Sequence, residues 1–251
     1  MTNFDPNTMS IFAAYEPERN PLMMFRISSA ERLTAIQHGL LYMNSLSYFA
    51  KGENEPPGSL RGDPLEPVIG RVYGGKDGEK YYQFTLTYGK GDDAKVLDIS
   101  EGTILTVEIP KPSNVMIFCL SAIALDPNWM MPGQFNHMLD RRLLELGSHA
   151  LWITNPGAFA DRLNRAIKSN PYIYGSKYFQ GGYGLVEYID LEGASTYIGV
   201  FRKDSRYSWQ REFRLCFGVE SEGLNATGAF ELQIGDISDI TSLVPLESLL
   251  Q

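Results

Sequence analysis

Tyr207-Ser208-Trp209-Gln210-Arg211-Glu212-Phe213-Arg214-Leu215-Cys216-Phe217 reads as a strand dense in aromatic and charged side chains. Side chains alternate between the two faces of a strand. Trp209, Phe213, Leu215 and Phe217 then share one face, with Arg211 interrupting it, and Gln210, Glu212 and Arg214 share the other. An amide and a carboxylate would project side by side, roughly 7 Å apart from the rise of an extended chain. Read alone, such a row is a solvated sheet face. What surrounds it sets the fold class.

Downstream, Phe230 to Ile234 is a late strand and Ile237 to Leu250 closes the chain. Upstream, strands are expected near Leu185 to Ile189 and Tyr197 to Arg202, after a Tyr/Gly-rich stretch from Tyr172 to Tyr183. Asn155 is placed to cap a helix with Pro156 at its first position and Phe159, Leu163, Ala166 and Ile167 on its buried face. Ala150 to Thr154 reads as a strand. Phe135, Met138, Leu139, Leu143 and Leu146 recur at helical spacing and stop at Gly147, predicting an amphipathic helix. Val115 to Leu120 is a continuous apolar run, which suits a strand buried on both faces. From Val68 to Ile109, strands alternate with Gly-rich turns.

At the other end, Leu22 to Ile27 is a short strand, and Ser28 or Ser29 can cap a helix to about Gln37 that His38-Gly39 closes. Leu40 to Met43 is a further strand. Asn44 to Pro67, rich in Gly, Pro and charge, reads as a long loop, and long loops in compact domains are often functional. Strands dominate, with about three helices, so the expected class is α+β. Neither a repeat nor a linker interrupts the chain. Residues 1–251 read as a single domain, with 1–20 as a polar leader.

Composition narrows the function classes. The chain has 251 residues, 43% of them hydrophobic and 12% aromatic, enough for a sizeable core. Cys119 and Cys216 lie in apolar runs without a spacing partner, which points to a reducing compartment and a cytoplasmic setting. No apolar stretch approaches the length of a membrane span, and no membrane partner is expected. His38, His137 and His149 form no ligand pair, so no metal is expected. A net charge of −8 disfavours nonspecific wrapping of nucleic acid. Arg202, Lys203, Arg206, Arg211 and Arg214 nevertheless crowd one segment and leave room for a local basic groove.

An aromatic residue, two residues further, then Gln-x-Glu resembles the signature of the ADP-ribosylating toxin and transferase superfamily in its arginine–serine–glutamate class. Here the matching residues are Tyr207, Gln210 and Glu212. The resemblance implies a mixed, mostly antiparallel split β-sheet with flanking helices. It also implies an arginine on the first core strand and a serine ending a middle strand. Arg26, in the otherwise apolar Leu22-Met23-Met24-Phe25-Arg26-Ile27, and Ser121, in Leu120-Ser121-Ala122, occupy those places. Where the superfamily has Ser-Thr-Ser, this chain departs from it.

The segments Leu41-Tyr42-Met43-Asn44, Tyr48-Phe49 and Arg61-Gly62-Asp63-Pro64-Leu65-Glu66 bear a second likeness. Together with Phe118 to Ser121 and Trp209 to Arg214, they are similar to a widespread group of bacterial and phage proteins. That group shares a strand, an Asn/Asp-Pro-x-Glu loop and a late Trp-x-x-Glu-x-Arg strand. The plain reading of the loop is turn chemistry, with Gly62, Asp63 and Pro64 in the turn and Glu66 paired with Arg61.

If the first resemblance holds, the chain is an NAD-dependent mono-ADP-ribosyltransferase or NAD glycohydrolase, with NAD as substrate and a protein or nucleic acid as acceptor. Loss of nicotinamide passes through an oxocarbenium-like state of the kind glycosidases stabilise with carboxylates. Glu212 would hydrogen-bond a ribose hydroxyl and Gln210 would position the acceptor. Arg26 would hold the phosphates with its forked donors, near Ser121. Tyr48, Phe49 or Tyr207 would stack on nicotinamide or acceptor, and Arg61 and Asp63 complete the expected NAD site. All of this requires Arg26, Ser121 and Glu212 to line one cleft. Such a transferase would act in phage–bacterium conflict; the alternative is a non-catalytic binding protein of the same fold. It would block a host protein or nucleic-acid enzyme, or sequester a nucleotide signal.

Overall fold

The computed structural model of the protein describes residues 22–51, 62–77, 80–82, 84–99, 103–124, 139–174, 182–191 and 196–250. The first strand, β1 (Leu22–Ser28), runs into α1 (Ala30–Gln37), whose N-cap is Ser29 accepting from the Arg32 N–H. Gly39 ends that turn at φ +96°, in a left-handed region open to glycine. A Cβ there would lie 2.4 Å from the Gly235 carbonyl oxygen. Gly39→Ala is therefore expected to cost about 1–3 kcal/mol, read as a lower midpoint in urea unfolding with an unchanged slope.

β2 (Leu40–Ser45) leads into α2 (Leu46–Lys51), a helix inside the stretch expected to be loop. Leu46 at its start is fully buried, and that anchor outweighs the surrounding Gly and Pro. Next come β3 (Val68–Tyr73), β4 (Gly75–Asp77), β5 (Lys80–Tyr82), β6 (Phe84–Tyr88), β7 (Lys95–Ile99) and β8 (Ile104–Glu108). They form three small antiparallel ladders, β4–β5, β6–β7 and β3–β8, where alternating strands and turns were expected.

β9 (Val115–Ala124) is the longest strand and the axis of the main sheet. After it the chain makes a 3₁₀ turn over Arg141–Glu145 and β10 (His149–Ile153). The turn replaces the C-terminal part of the amphipathic helix expected before Gly147; residues 125–138 of that helix and its loop lie outside the described residues. Asp140, accepting from the Arg142 N–H, starts the turn, and its buried Leu143 still faces the core. The helix α3 (Pro156–Ser169) begins where Asn155 and Pro156 place it and buries Phe159, Ala160, Leu163 and Ala166. The later strands are β11 (Ile173–Tyr174), β12 (Gly182–Leu185), β13 (Glu187–Ile189), β14 (Thr196–Tyr197), β15 (Arg202–Asp204), β16 (Glu212–Val219), β17 (Phe230–Gln233) and β18 (Thr241–Pro245).

The main sheet runs β11-β16-β9-β1-β10-β18, with β12 also on β16 and β2 linking β9 to β17. One edge of β9 is shared: Ile123 and Ser121 face β1, whereas Met116 and Ile117 face β2. Class α+β, built mostly from antiparallel pairs, follows from this order. Two apolar layers cover the sheet. On one face Met24, Phe118, Leu120, Phe213, Leu215 and Phe217 pack with α3. On the other, Phe25, Ile27, Ile123 and Trp209 form one cluster, and Ile117, Val200 and Cys216 another. Among the described residues no helix is long and apolar enough to cross a membrane.

Candidate ionic site at the start of β16

Strand geometry begins only at Glu212. Ser205–Gln210 is a 3₁₀ helix capped by Asp204, and Arg211 breaks it at φ +45°. Gln210 and Glu212 are therefore not neighbours on one strand face, and Trp209 and Phe213 enter different apolar clusters. The strand pattern fails upstream of Glu212 because Ser205–Gln210 is helical and Arg211 closes that helix in the left-handed region.

From Glu212 onward alternation holds. Phe213, Leu215 and Phe217 enter the layer under α3, so Glu212 and Arg214 point to the opposite face. Both are buried there. Two charges in such a place need partners, and the fold supplies them from two distant segments. Arg214 grips Glu66 with two parallel bonds, Nη1 to Oε2 at 2.7 Å and Nη2 to Oε1 at 2.9 Å. Its Nε donates to Glu212 Oε1 at 2.6 Å, and Nη1 also reaches the Val200 carbonyl at 2.6 Å. Lys203, on β15, sends Nζ to Glu212 Oε2 at 3.0 Å, Glu66 Oε1 at 3.2 Å and Gln210 Oε1 at 3.1 Å. The four charged residues are between 0% and 6% exposed.

Two carboxylates and two cations make this cluster neutral, and every charge touches its opposite. Burial alone would push the Glu212 carboxyl up, but the Arg214 and Lys203 charges outweigh it and hold the group well below the ordinary carboxylate range. Burial likewise opposes the Lys203 ammonium, yet Glu212 and Glu66 hold it above its ordinary value. Arg214 is held up by the same pair. Around the rim, burial raises the Asp63 carboxyl, with Glu66 adding to the effect. Burial pushes the Tyr188 phenol and the Cys119 thiol each up to about 12. The Glu212 backbone N–H donates to Tyr188 Oη at 2.9 Å.

The loop from 62 to 67 is the second half of the site. Asp63 Oδ1 accepts from the Leu65 N–H at 2.9 Å, and the Asp63 N–H donates to the Phe49 carbonyl at 3.2 Å. Tyr207 closes over it, donating to the Gly62 carbonyl at 3.2 Å, with Lys203 Nζ 5.3 Å from its ring centre. The Asp-Pro-x-Glu loop and the Glu-x-Arg strand thus meet through Glu66 and Arg214. Arg214 is a partner of Glu66, its fork reaching both carboxylate oxygens; the pairing of Glu66 with Arg61 expected from the loop lies outside the described residues.

The other expected site residues fall as follows. Ser121 on β9 is directly opposite Glu212 on β16 and opposite Phe25 on β1, so the three form one row across adjacent strands. Arg26 is the next residue after that row and alternates to the other face. Its guanidinium carbon lies 5.0 Å over the Phe118 ring, and Nη1 donates to the Cys119 carbonyl. Arg26 shares the α3 face with Met24 and Phe118, whereas Glu212 and Ser121 face away from α3. One cleft lined by all three is not what the strands build. Gln210 and Glu212 do meet, through Lys203 rather than by strand alternation. Tyr48 is exposed and stands edge-on to Phe49, 5.3 Å between ring centres, and Phe49 packs into the apolar cluster around Val200 and Cys216.

Lys203 is the participant that strand and motif reading missed. The sequence leaves room for a local basic groove here, but Lys203 and Arg214 are buried in the ionic cluster and Arg202 pairs with Glu187 at 2.7 Å. A usable signal was present: charges embedded among apolar residues, as in Phe213-Arg214-Leu215, demand opposite charges elsewhere. Among the described residues no group of three or more His, Cys, Asp or Glu side chains is placed to hold a metal. Comparison of the chain with protein-family models, with curated proteins and with solved structures finds no match.

Proposed function

We propose that this chain is a non-catalytic binding protein that docks on a macromolecule with a basic surface. A host protein, or a nucleic-acid enzyme whose groove it fills, is the partner class that fits. The observation carrying this reading is the state of Glu212. Both of its oxygens are taken by buried cations, Oε1 by Arg214 and Oε2 by Lys203, so neither is presented to a ribose hydroxyl. A surplus of 30 acidic over 22 basic residues supplies the complementary charge. Such a complex weakens as added salt shortens the Debye length from about 10 Å toward 3 Å.

The NAD-dependent transferase is the second reading, favoured by the pairing that places Ser121 directly opposite Glu212. Chromatographic measurement of nicotinamide released from NAD separates the two. The expected result is no release above the protein-free rate, for wild type and Glu212→Gln alike. Release by the wild type that falls about a hundred- to a thousandfold in Glu212→Gln would sink the binding-only reading and establish Glu212 as a catalytic residue.

A further inference from the structure

β8 is an edge. It pairs with β3 along Val68 to Tyr73, and among the described residues no strand pairs with its other side. All five of its residues are exposed, among them Ile104, Leu105 and Val107 at 39–46%. Exposed edges are ordinarily blunted by Lys, Pro, bulges or a covering element. Ile104-Leu105-Thr106-Val107 contains neither Lys nor Pro, and the register shift of this ladder is on the β3 side, between Val68 and Gly70, opposite Glu108 and Val107.

We propose that a second copy of this chain covers this edge, with β8 pairing antiparallel to itself about a two-fold axis at Thr106. Thr106 is the middle residue of the strand, so this register leaves none of the five residues unmatched. Leu105 then stands opposite Val107 of the second copy, twice by symmetry, and the two threonines face each other across the axis. Apolar and Thr–Thr cross-strand pairs are the stabilising kind. The strand's one charge, Glu108, falls opposite Ile104, and the two Glu108 carboxylates sit at opposite ends of the ladder. Two chains of charge −8 can therefore meet here without a like-charge pair at the seam. A ladder this short makes a weak, concentration-dependent dimer in the micromolar to millimolar range. The proposal is independent of the state of Glu212.

Sedimentation of the full chain over that concentration range tests it, together with two kinds of variant. Wild type is expected to shift from monomer to dimer mass, and Leu105→Lys or Val107→Lys to weaken the association by about tenfold or more. Thr106→Cys is expected to form a covalent dimer under mild oxidation. Tyr197→Cys, exposed on β14 at the other edge of the same ladder, is not. The native Cys119 and Cys216 are common to both variants, so the difference between the two reads the introduced thiol alone. A wild type that stays monomeric, a dimer indifferent to both lysine variants, or equal cross-linking of the two cysteine variants would each overturn the proposal.

Discussion

Arg214→Met is expected to lower the unfolding free energy by about 3–5 kcal/mol, a large share of the roughly 5–15 kcal/mol that holds a domain of ordinary stability. The methionine fills comparable space, so the loss is electrostatic. Among the described cations Glu66 would keep only Lys203, and Glu212 would lose its shortest bond, from Arg214 Nε at 2.6 Å. An uncompensated buried carboxylate is among the costliest defects a core can hold. Arg214→Lys keeps the charge but loses the fork, and a lysine cannot bond both Glu66 oxygens and Glu212 in one plane. It is expected to recover only part of the loss. Urea unfolding followed by circular dichroism measures both variants. A change under about 1 kcal/mol for Arg214→Met, in the range of an exposed pair, would mean that the ionic cluster does not hold the loop from 62 to 67 to the sheet.

Acid is expected to dismantle the same cluster, beginning below the ordinary carboxylate value of about 4.3. The sign follows from the direction of the shift. Glu212 is held below its unfolded value by Arg214 and Lys203, so its contribution is complete above that value and is lost as the pH falls toward the folded one. Lys203, raised by Glu212 and Glu66, acts oppositely: its contribution is complete below the ordinary lysine value of about 10.4 and is lost as the pH rises from there toward the folded one. Stability should therefore be level from neutral to mildly alkaline pH and fall steeply below about pH 4. Glu212→Gln removes the titrating group. It should be less stable at pH 7, with a shallower acid limb.

Asp63 gives the internal contrast. Burial raises its carboxyl, so its ionised form opposes folding and protonation relieves that cost. Asp63→Asn retains an oxygen for the Leu65 N–H and is expected to be neutral or stabilising at pH 7, while Glu212→Gln is destabilising. Unfolding free energies measured from pH 7 to pH 3 decide this. Parallel acid limbs for wild type and Glu212→Gln would show that other groups govern the transition.

Much of the frame was legible in the residues themselves. Ser29, His38-Gly39 and Asn155-Pro156 carry local capping chemistry, and the helices begin or end where that chemistry places them. The apolar runs at Val115 to Leu120 and Phe213 to Phe217 became the two longest strands of the main sheet. These signals are legible because each depends on neighbours a few residues away. The helix α2 and the 3₁₀ turn at Arg141–Glu145 were not, since tertiary burial of Leu46 and Leu143 decided them.

The site divides along the same physical line. The chain alone placed one charge, Arg214, directly between two apolar residues, Phe213 and Leu215, where burial would demand an opposite charge. Which charge neutralises which was decided only by the fold. Arg214 and Glu66 are 148 residues apart, and their meeting depends on where β16 sits against the loop at 62–67. Likewise one left-handed residue, Arg211, moved Gln210 off the strand, and one step of alternation put Arg26 on the face opposite Glu212. A side chain's neighbours across a sheet are set by strand order and register, and no local pattern encodes those.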